Sequence, residues 1–209
     1  MSPITDEIFY QRNLPHFHPP GATIFITFRL AGSLPYAILK RLNRELLIAK
    51  NNLNNNTDVG VKNQIKINLQ KRLFKKFDEA LDDTKNDPKW LAEPKIAQLV
   101  CEKVESMDSL YYRLDSYCVM PNHVHMVCTP INEHGEKFSL SKIMHLLKGS
   151  TAFHANQILN RRGCFWQHES YDHVVRNNKE FLRIVNYVIE NPIRAGLTAM
   201  YVYCRPGIF

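Results

Sequence analysis

The chain has 209 residues, of which 44% are hydrophobic and 22% charged. That composition describes a soluble globular protein long enough for one well-buried core. The opening "MSPITDEIFYQRNLP" carries two acids and no apolar h-region, and the longest apolar run, "ATIFITF", is far too short for a bilayer. Neither a secretory leader nor a membrane span is therefore expected.

In chain order, "ATIFITFRLA" (22–31) alternates, with Ile24, Ile26, Phe28 and Leu30 on one side and Thr23, Phe25, Thr27 and Arg29 on the other. That pattern predicts a half-buried strand. "YAILKRLNRELLIAK" (36–50) has helical spacing, "NNLNNNTDVG" (51–60) is an Asn-rich break, and "VKNQIKINLQKRLFKKFDEALDD" (61–83) predicts a second charged helix. A third helix is expected over 94–107, where Ile96, Leu99, Val100 and Val104 make one stripe. Strands are expected at 110–120 and 123–130, joined by a short "PN" connector. A long helix follows over 139–159, with Ser139 or Ser141 as its N-cap. "DHVVR" then reads as a strand, and 178–190 as a helix ended or sharply turned at Asn191-Pro192. The order implies an α+β fold, a small antiparallel sheet with helices on one face. The helical insertion falls roughly within 36–107 of a single domain spanning 1–209.

Five cysteines (Cys101, Cys118, Cys128, Cys164 and Cys204) form no CxxC pair and read as reduced cytosolic thiols. The net charge of +7 is uneven: residues 138–209 hold nine Lys/Arg against four Asp/Glu, residues 1–137 eighteen against sixteen. The basic C-terminal third fits a polyanionic partner, and equally a generic basic surface.

The chemistry gathers around "VMPNHVHMVCTP" (119–130). In a strand His123, His125, Val127 and Thr129 share one face, while Val124, Met126 and Cys128 share the other and belong to the core. The imidazoles then stand side by side, about 7 Å apart along the strand, which suits two nitrogens converging on one divalent metal. The alternative is a pair of surface histidines. A second HxH, His16 and His18 in "PHFHPPG", is framed by prolines and reads as a loop, so spacing alone does not decide. On the last helix Phe181, Leu182, Val185, Val188 and Ile189 form an apolar stripe. Tyr187 lies roughly 160° from its centre, on the face of Glu180, Ile184 and Asn191. Taken alone, Tyr187 reads as a surface tyrosine and Asn191 as the N-cap of a following "PIRAG" turn.

Together, "MPNHVHMV", "FWQHESYDHVVR" and "NYVIENPIRAGL" resemble the REP-associated tyrosine transposases of the HUH single-strand transposase superfamily. "LPHFHPPGATIFITFRLAGSLP" and "WLAEPKIAQLV" are similar to one subgroup of that family, so the resemblance runs over nearly the whole chain. It implies a ferredoxin-like HUH-nuclease fold, with His123 and His125 as metal ligands on a central strand and Tyr187 as the nucleophile on a helix. Asn191 stands where related insertion-sequence transposases carry a Gln as third ligand. Tyr171 is the competing tyrosine, ranked second.

The implied reaction is cleavage and rejoining of single-stranded DNA near palindromic-repeat hairpins through a 5′-phosphotyrosine, with Mg²⁺ or Mn²⁺ as cofactor. The alternative is a domesticated relative that binds repeat DNA without cutting it, and a second rival is a hydrolase using the HxH pair and water. Lys142, Lys148, Arg161, Arg162, Arg176, Arg183 and Arg194 could track phosphates, and Phe165, Trp166 and Tyr171 could stack on bases. The expected setting is cytoplasmic and nucleoid-associated, as monomer or homodimer.

Overall fold

The computed structural model describes residues 19, 21–38, 40–42, 44–45, 48, 59–82, 88–133, 136–137, 139–197 and 201–209. The Asn-rich stretch 51–58 and the His16/His18 pair lie outside the described residues. Two compact units are present, one within Gly32–Asp87 and the other within Phe17–Ala31 and Pro88–Phe209.

The larger unit is built on a five-stranded antiparallel sheet. Its strands are β1 (Ile24–Arg29), β2 (Tyr112–Val119), β3 (His123–Pro130), β6 (Tyr171–Val174) and β7 (Tyr201–Cys204), in the order β6-β1-β3-β2-β7. A separate two-stranded ribbon pairs β4 (Asn132–Glu133) with β5 (Glu136–Lys137). The β2–β3 hairpin closes where the Met120 N–H donates to the His123 carbonyl at 2.9 Å. Pro121 and Asn122 occupy its turn, and their carbonyls accept from Leu91 and Leu30.

Register fixes the two faces of the sheet, because directly opposed residues of paired strands share a face. Ile24, Ile26, Phe28, Val124, Met126 and Cys128 form one face. They join a core supplied by α2 (Pro94–Ser106) and α3 (Leu140–Ile158) through Ile96, Val100, Val104, Ile143 and Leu147. The other face carries Phe25, Thr27, Arg29, His123, His125 and Val127, and α4 (Asn178–Arg194) packs against β2, β3 and β7. Helices therefore cover both faces, not one. For this reason all six residues of β1 are buried, where sequence alternation predicts a half-exposed strand.

Ends and caps follow local chemistry. Pro94 opens α2, where its missing N–H costs nothing. Ser139 caps α3 by accepting from the Lys142 N–H at 3.2 Å. Asn177 caps α4 by accepting from the Glu180 N–H at 2.9 Å, while the Glu180 carboxylate accepts from the Arg176 N–H at 3.0 Å. The last helix does not stop at Asn191-Pro192. It runs on to Arg194, with Ala195 donating to the Asn191 carbonyl and Leu197 to the Pro192 carbonyl, both at 3.0 Å. Pro192 forfeits a single backbone bond near the helix end, a smaller penalty than mid-helix.

The third predicted helix, α2, packs in the core of the sheet unit. In the smaller unit, helical residues within 36–45 and α1 (Val59–Asp82) share a separate core of Leu34, Leu42, Phe77 and Leu81. β7 and the β4–β5 ribbon have no counterpart among the predicted strands. Among the described residues no helix is long and apolar enough to cross a membrane.

Candidate active site

His123 and His125 are both fully buried. The sequence alternative of surface histidines fails because α4 covers the face opposite the Val124/Met126/Cys128 core. Burial forces each imidazole to satisfy its nitrogens within the protein. His123 Nδ1 lies 2.6 Å from Asn122 Oδ1, an atom that only accepts, so Nδ1 carries the proton and Nε2 presents a lone pair. His125 Nδ1 bonds Thr27 Oγ1 at 2.8 Å. The two Nε2 atoms face each other at 3.0 Å, with ring centroids 4.6 Å apart. Each imidazole is thus oriented through Nδ1 and offers Nε2 to a shared point, the arrangement of metal-ligating histidines.

Tyr187 joins this pair. Its ring lies 5.4 Å from that of His125 and 6.1 Å, edge-on, from Phe25, while Phe25 stacks on His125 at 5.6 Å. The face of α4 that sequence periodicity reads as outer is turned to the sheet: Glu180, Ile184 and Asn191 are buried along it. The helix is bound to both sheet and solvent by a mixed face, so the apolar stripe alone misplaces it. Asn191, one turn beyond Tyr187, is 3% exposed, and its Oδ1 has no hydrogen-bond partner. An orphaned, buried amide oxygen carries a desolvation cost of about 1–3 kcal/mol, which a ligand removes. Because α4 continues past this point, Asn191 is a helical side chain and not the cap of a new turn. Two imidazole nitrogens facing one point suit a divalent cation of intermediate hardness.

A second tie holds the tyrosine helix to the sheet. His173 on β6 approaches Glu180 on α4 at 3.3 Å. Burial holds the His173 imidazole below its ordinary value against the pull of Glu180. Burial alone would lift the Glu180 carboxyl, but the Arg176 N–H and His173 hold it lower. Tyr171, the competing tyrosine, sits on β6 opposite Thr27 and meets the Phe25 ring edge-on at 6.3 Å. Burial drives its phenol well above the ordinary value.

The basic residues separate into two groups. Lys142, Arg162, Arg176, Arg183 and Arg194 are exposed; Arg183 pairs with Glu180 at 3.4 Å, and Arg194 with Glu190 at 2.5 Å, its guanidinium 6.0 Å from the Tyr187 ring. Lys148 and Arg161 serve the fold instead. Lys148 Nζ donates to the Gln167 and His168 carbonyls and to Ser170 Oγ, at 2.7–3.0 Å, using all three of its donors. Arg161 stacks 3.8 Å over Trp90 and bonds Asn156 Oδ1 and the Cys164 carbonyl. Phe165 and Trp166 belong to the core, with Trp166 Nε1 donating to Thr151 Oγ1 at 2.8 Å, so they are not free to stack on bases.

Sequence reasoning passed over Thr27, Asn122 and Phe25, which orient the histidines and the tyrosine. Asn122 is legible as the neighbour of His123. Thr27 and Phe25 depend on the β1–β3 register, which no local pattern reveals.

This sheet, with a buried HxH pair on a central strand and a tyrosine helix laid over it, has the build of an HUH tyrosine transposase. The family model described as "Transposase IS200 like" matches residues 84–191, more than half of the sequence, and the chain belongs to that family. Among curated relatives, the REP-associated tyrosine transposase of Escherichia coli K12 is 29% identical over 85 residues, covering 41% of this chain and 47% of that protein. An uncharacterized protein of Haemophilus influenzae is 24% identical over 111 residues, covering 43% of this chain and 59% of its own. The chain spans about half the length of the curated relatives it matches. A solved structure of the REP-associated tyrosine transposase bound to a REP hairpin shares the fold. It has a TM-score of 0.50 and 14% identity, over 88% of this chain and 74% of that one.

Proposed function

We propose that this protein cleaves and rejoins single-stranded DNA beside palindromic-repeat hairpins, through a 5′-phosphotyrosine formed on Tyr187. The observation that carries the reading is the contact of Tyr187 with His125, whose Nε2 meets that of His123. His123, His125 and Asn191 are the residues that would hold a divalent ion, Mg²⁺ or Mn²⁺. When bound, such an ion withdraws charge from the scissile phosphate and helps to orient it.

The remaining work falls to side chains. Tyr187 Oη attacks phosphorus in line, the P–O3′ bond breaks, and the 5′-phosphate is retained on the phenol. The phenol proton is lost and the departing 3′ oxygen takes one up, so the step is balanced without net proton change. Ester energy is kept, and a 3′-OH can reverse the reaction to rejoin a strand without ATP. Phe25 and His125 fix the tyrosine ring from two sides, which lowers the entropic cost of reaching the attack geometry. Exposed Arg194, near the same ring and paired with Glu190, would exchange that carboxylate for the phosphate chain.

The test is incubation with single-stranded repeat-hairpin DNA and Mn²⁺, followed by denaturing gel electrophoresis. A metal-dependent band of protein joined to DNA that survives SDS is the expected outcome. Cleavage without an adduct would assign the site to water-mediated hydrolysis, and binding without cleavage to a non-catalytic repeat-binding role.

A further inference from the structure

The positive charge of this chain is concentrated where the family match does not reach. Residues 36–76 hold ten Lys/Arg against two Asp/Glu, a net of +8, while all other residues together hold seventeen against eighteen, a net of −1. The transposase family model begins only at residue 84. In the helical unit the apolar residues Leu34, Leu42, Phe77 and Leu81 face one another, and Lys40, Arg41, Arg44, Arg72 and Lys75 are exposed.

Arg41, Arg72 and Lys76 come together across two helical segments around Glu45. Lys76 reaches from α1 to the Glu45 carboxylate, at 2.9 and 2.6 Å to its two oxygens. The hydrogen bond from Lys76 holds the Glu45 carboxyl below its usual range despite partial burial, and the charges of Lys76, Arg72 and Arg41 add to that effect. Arg41, Arg72 and Lys76 therefore share a single counter-charge. Lys75 pairs with Glu79 at 3.6 Å, an exposed ion pair of little strength, and the whole unit 32–87 holds eleven Lys/Arg against seven Asp/Glu, a net of +4. That excess of positive charge repels itself, a cost removed when a polyanion binds. Tyr36 is the one exposed aromatic side chain among the described residues of this unit, so a platform for stacking successive bases is lacking. Duplex DNA presents one phosphate charge per ~1.7 Å of axis and needs no such platform.

We propose that the helical unit within Gly32–Asp87 is a second DNA-contacting surface, which grips the phosphate backbone of duplex DNA, such as a hairpin stem, by charge alone. That the polyanion is DNA rests on the function proposed above; the charge concentration does not.

The test uses the full chain carrying Arg41→Gln, Arg44→Gln, Arg72→Gln and Lys75→Gln, four exposed positions, with thermal melting to check that it folds as the parent does. Binding to a labelled DNA hairpin is followed by fluorescence anisotropy over a salt series. Affinity is expected to fall at least tenfold, and the slope of log K against log salt to become shallower by about 0.9 for each phosphate that is no longer neutralised. Binding to a stemless single strand of equal length is expected to change less than threefold. A companion variant with Arg41→Lys, Arg44→Lys and Arg72→Lys keeps the charge and should bind as the parent does. Unchanged hairpin affinity and slope in the glutamine variant would overturn the inference. So would a lysine variant as weak as the glutamine one, or a larger loss on an RNA hairpin than on DNA. The SDS-stable adduct is read separately. If the parent forms none while the glutamine variant still loses hairpin affinity, the duplex surface stands and the strand-transfer reading falls.

Discussion

Thr27 Oγ1 on His125 Nδ1 and Asn122 Oδ1 on His123 Nδ1 are small contacts with a large consequence, because they decide which imidazole nitrogens are left facing each other. Thr27→Val keeps the shape and removes the oxygen. It is expected to cost about 1 kcal/mol of stability and to weaken Mn²⁺ binding on the order of 10–100-fold, the usual effect of losing such an outer partner. Calorimetric titration of Mn²⁺ measures the second quantity; unaltered metal affinity would remove Thr27 from the site. Tyr187→Phe deletes one oxygen and keeps the ring against Phe25 and His125, so stability should change by less than ~1 kcal/mol. The same change should abolish the covalent DNA adduct, whereas Tyr171→Phe should leave it in place. Peptide mapping that finds DNA on Tyr171 would reverse the assignment. Because both histidines are fully buried, the His123→Ala/His125→Ala double variant would open a cavity and lose stability by several kcal/mol on typical core costs, so its inactivity would be ambiguous.

At the level of elements, α3 and α4 hold the segments that lead into and over the site. Lys148 on α3 pins the 167–170 segment just before β6 through three donated bonds. Burial pushes its ammonium down to about 7, with the Glu169 charge opposing that shift and the Arg29 charge adding to it. Between that value and the ordinary one near 10.5 the unfolded chain binds more protons than the folded chain. Stability should therefore rise with pH across this window and be lost as pH falls toward 7. Urea unfolding at pH 7 to 10 is expected to show this rise in the parent and a flatter profile in Lys148→Met. Equal slopes in the two proteins would mean that Lys148 stays charged throughout. On α4, the extra turn past Pro192 matters most: it keeps Asn191 in helical register with Tyr187, so both side chains project from one side.

For the molecule as a whole, charge and fold divide the labour. The sheet unit carries the histidine pair and the tyrosine, and residues 36–76 carry more than the entire net charge. DNA binding should weaken steeply with salt, as counterion release requires, and should favour a hairpin with single-stranded flanks over blunt duplex. Competition anisotropy at two salt concentrations checks both; salt-insensitive binding, or equal affinity for any duplex, would point to a different partner.

Local sequence dictates the α+β order, the limits of β3 at 123–130 and a serine cap at 139 or 141, of which Ser139 is the one used. The candidate set of His123, His125, Tyr187 and Asn191 is what the family resemblance of its motifs implies. These follow from local periodicity, from capping chemistry and from motifs whose residues are near neighbours in the chain. Tertiary structure alone decided that the histidines are buried, since the helix that covers them lies some sixty residues later in the chain. It also decided that Thr27 and Phe25 stand beside His125, because strand register is a long-range pairing with no local signature. Likewise only packing could show that Lys148 and Arg161 are spent on the fold while other cations stay exposed. A charged side chain reads the same in sequence whether its donors face a carbonyl or water.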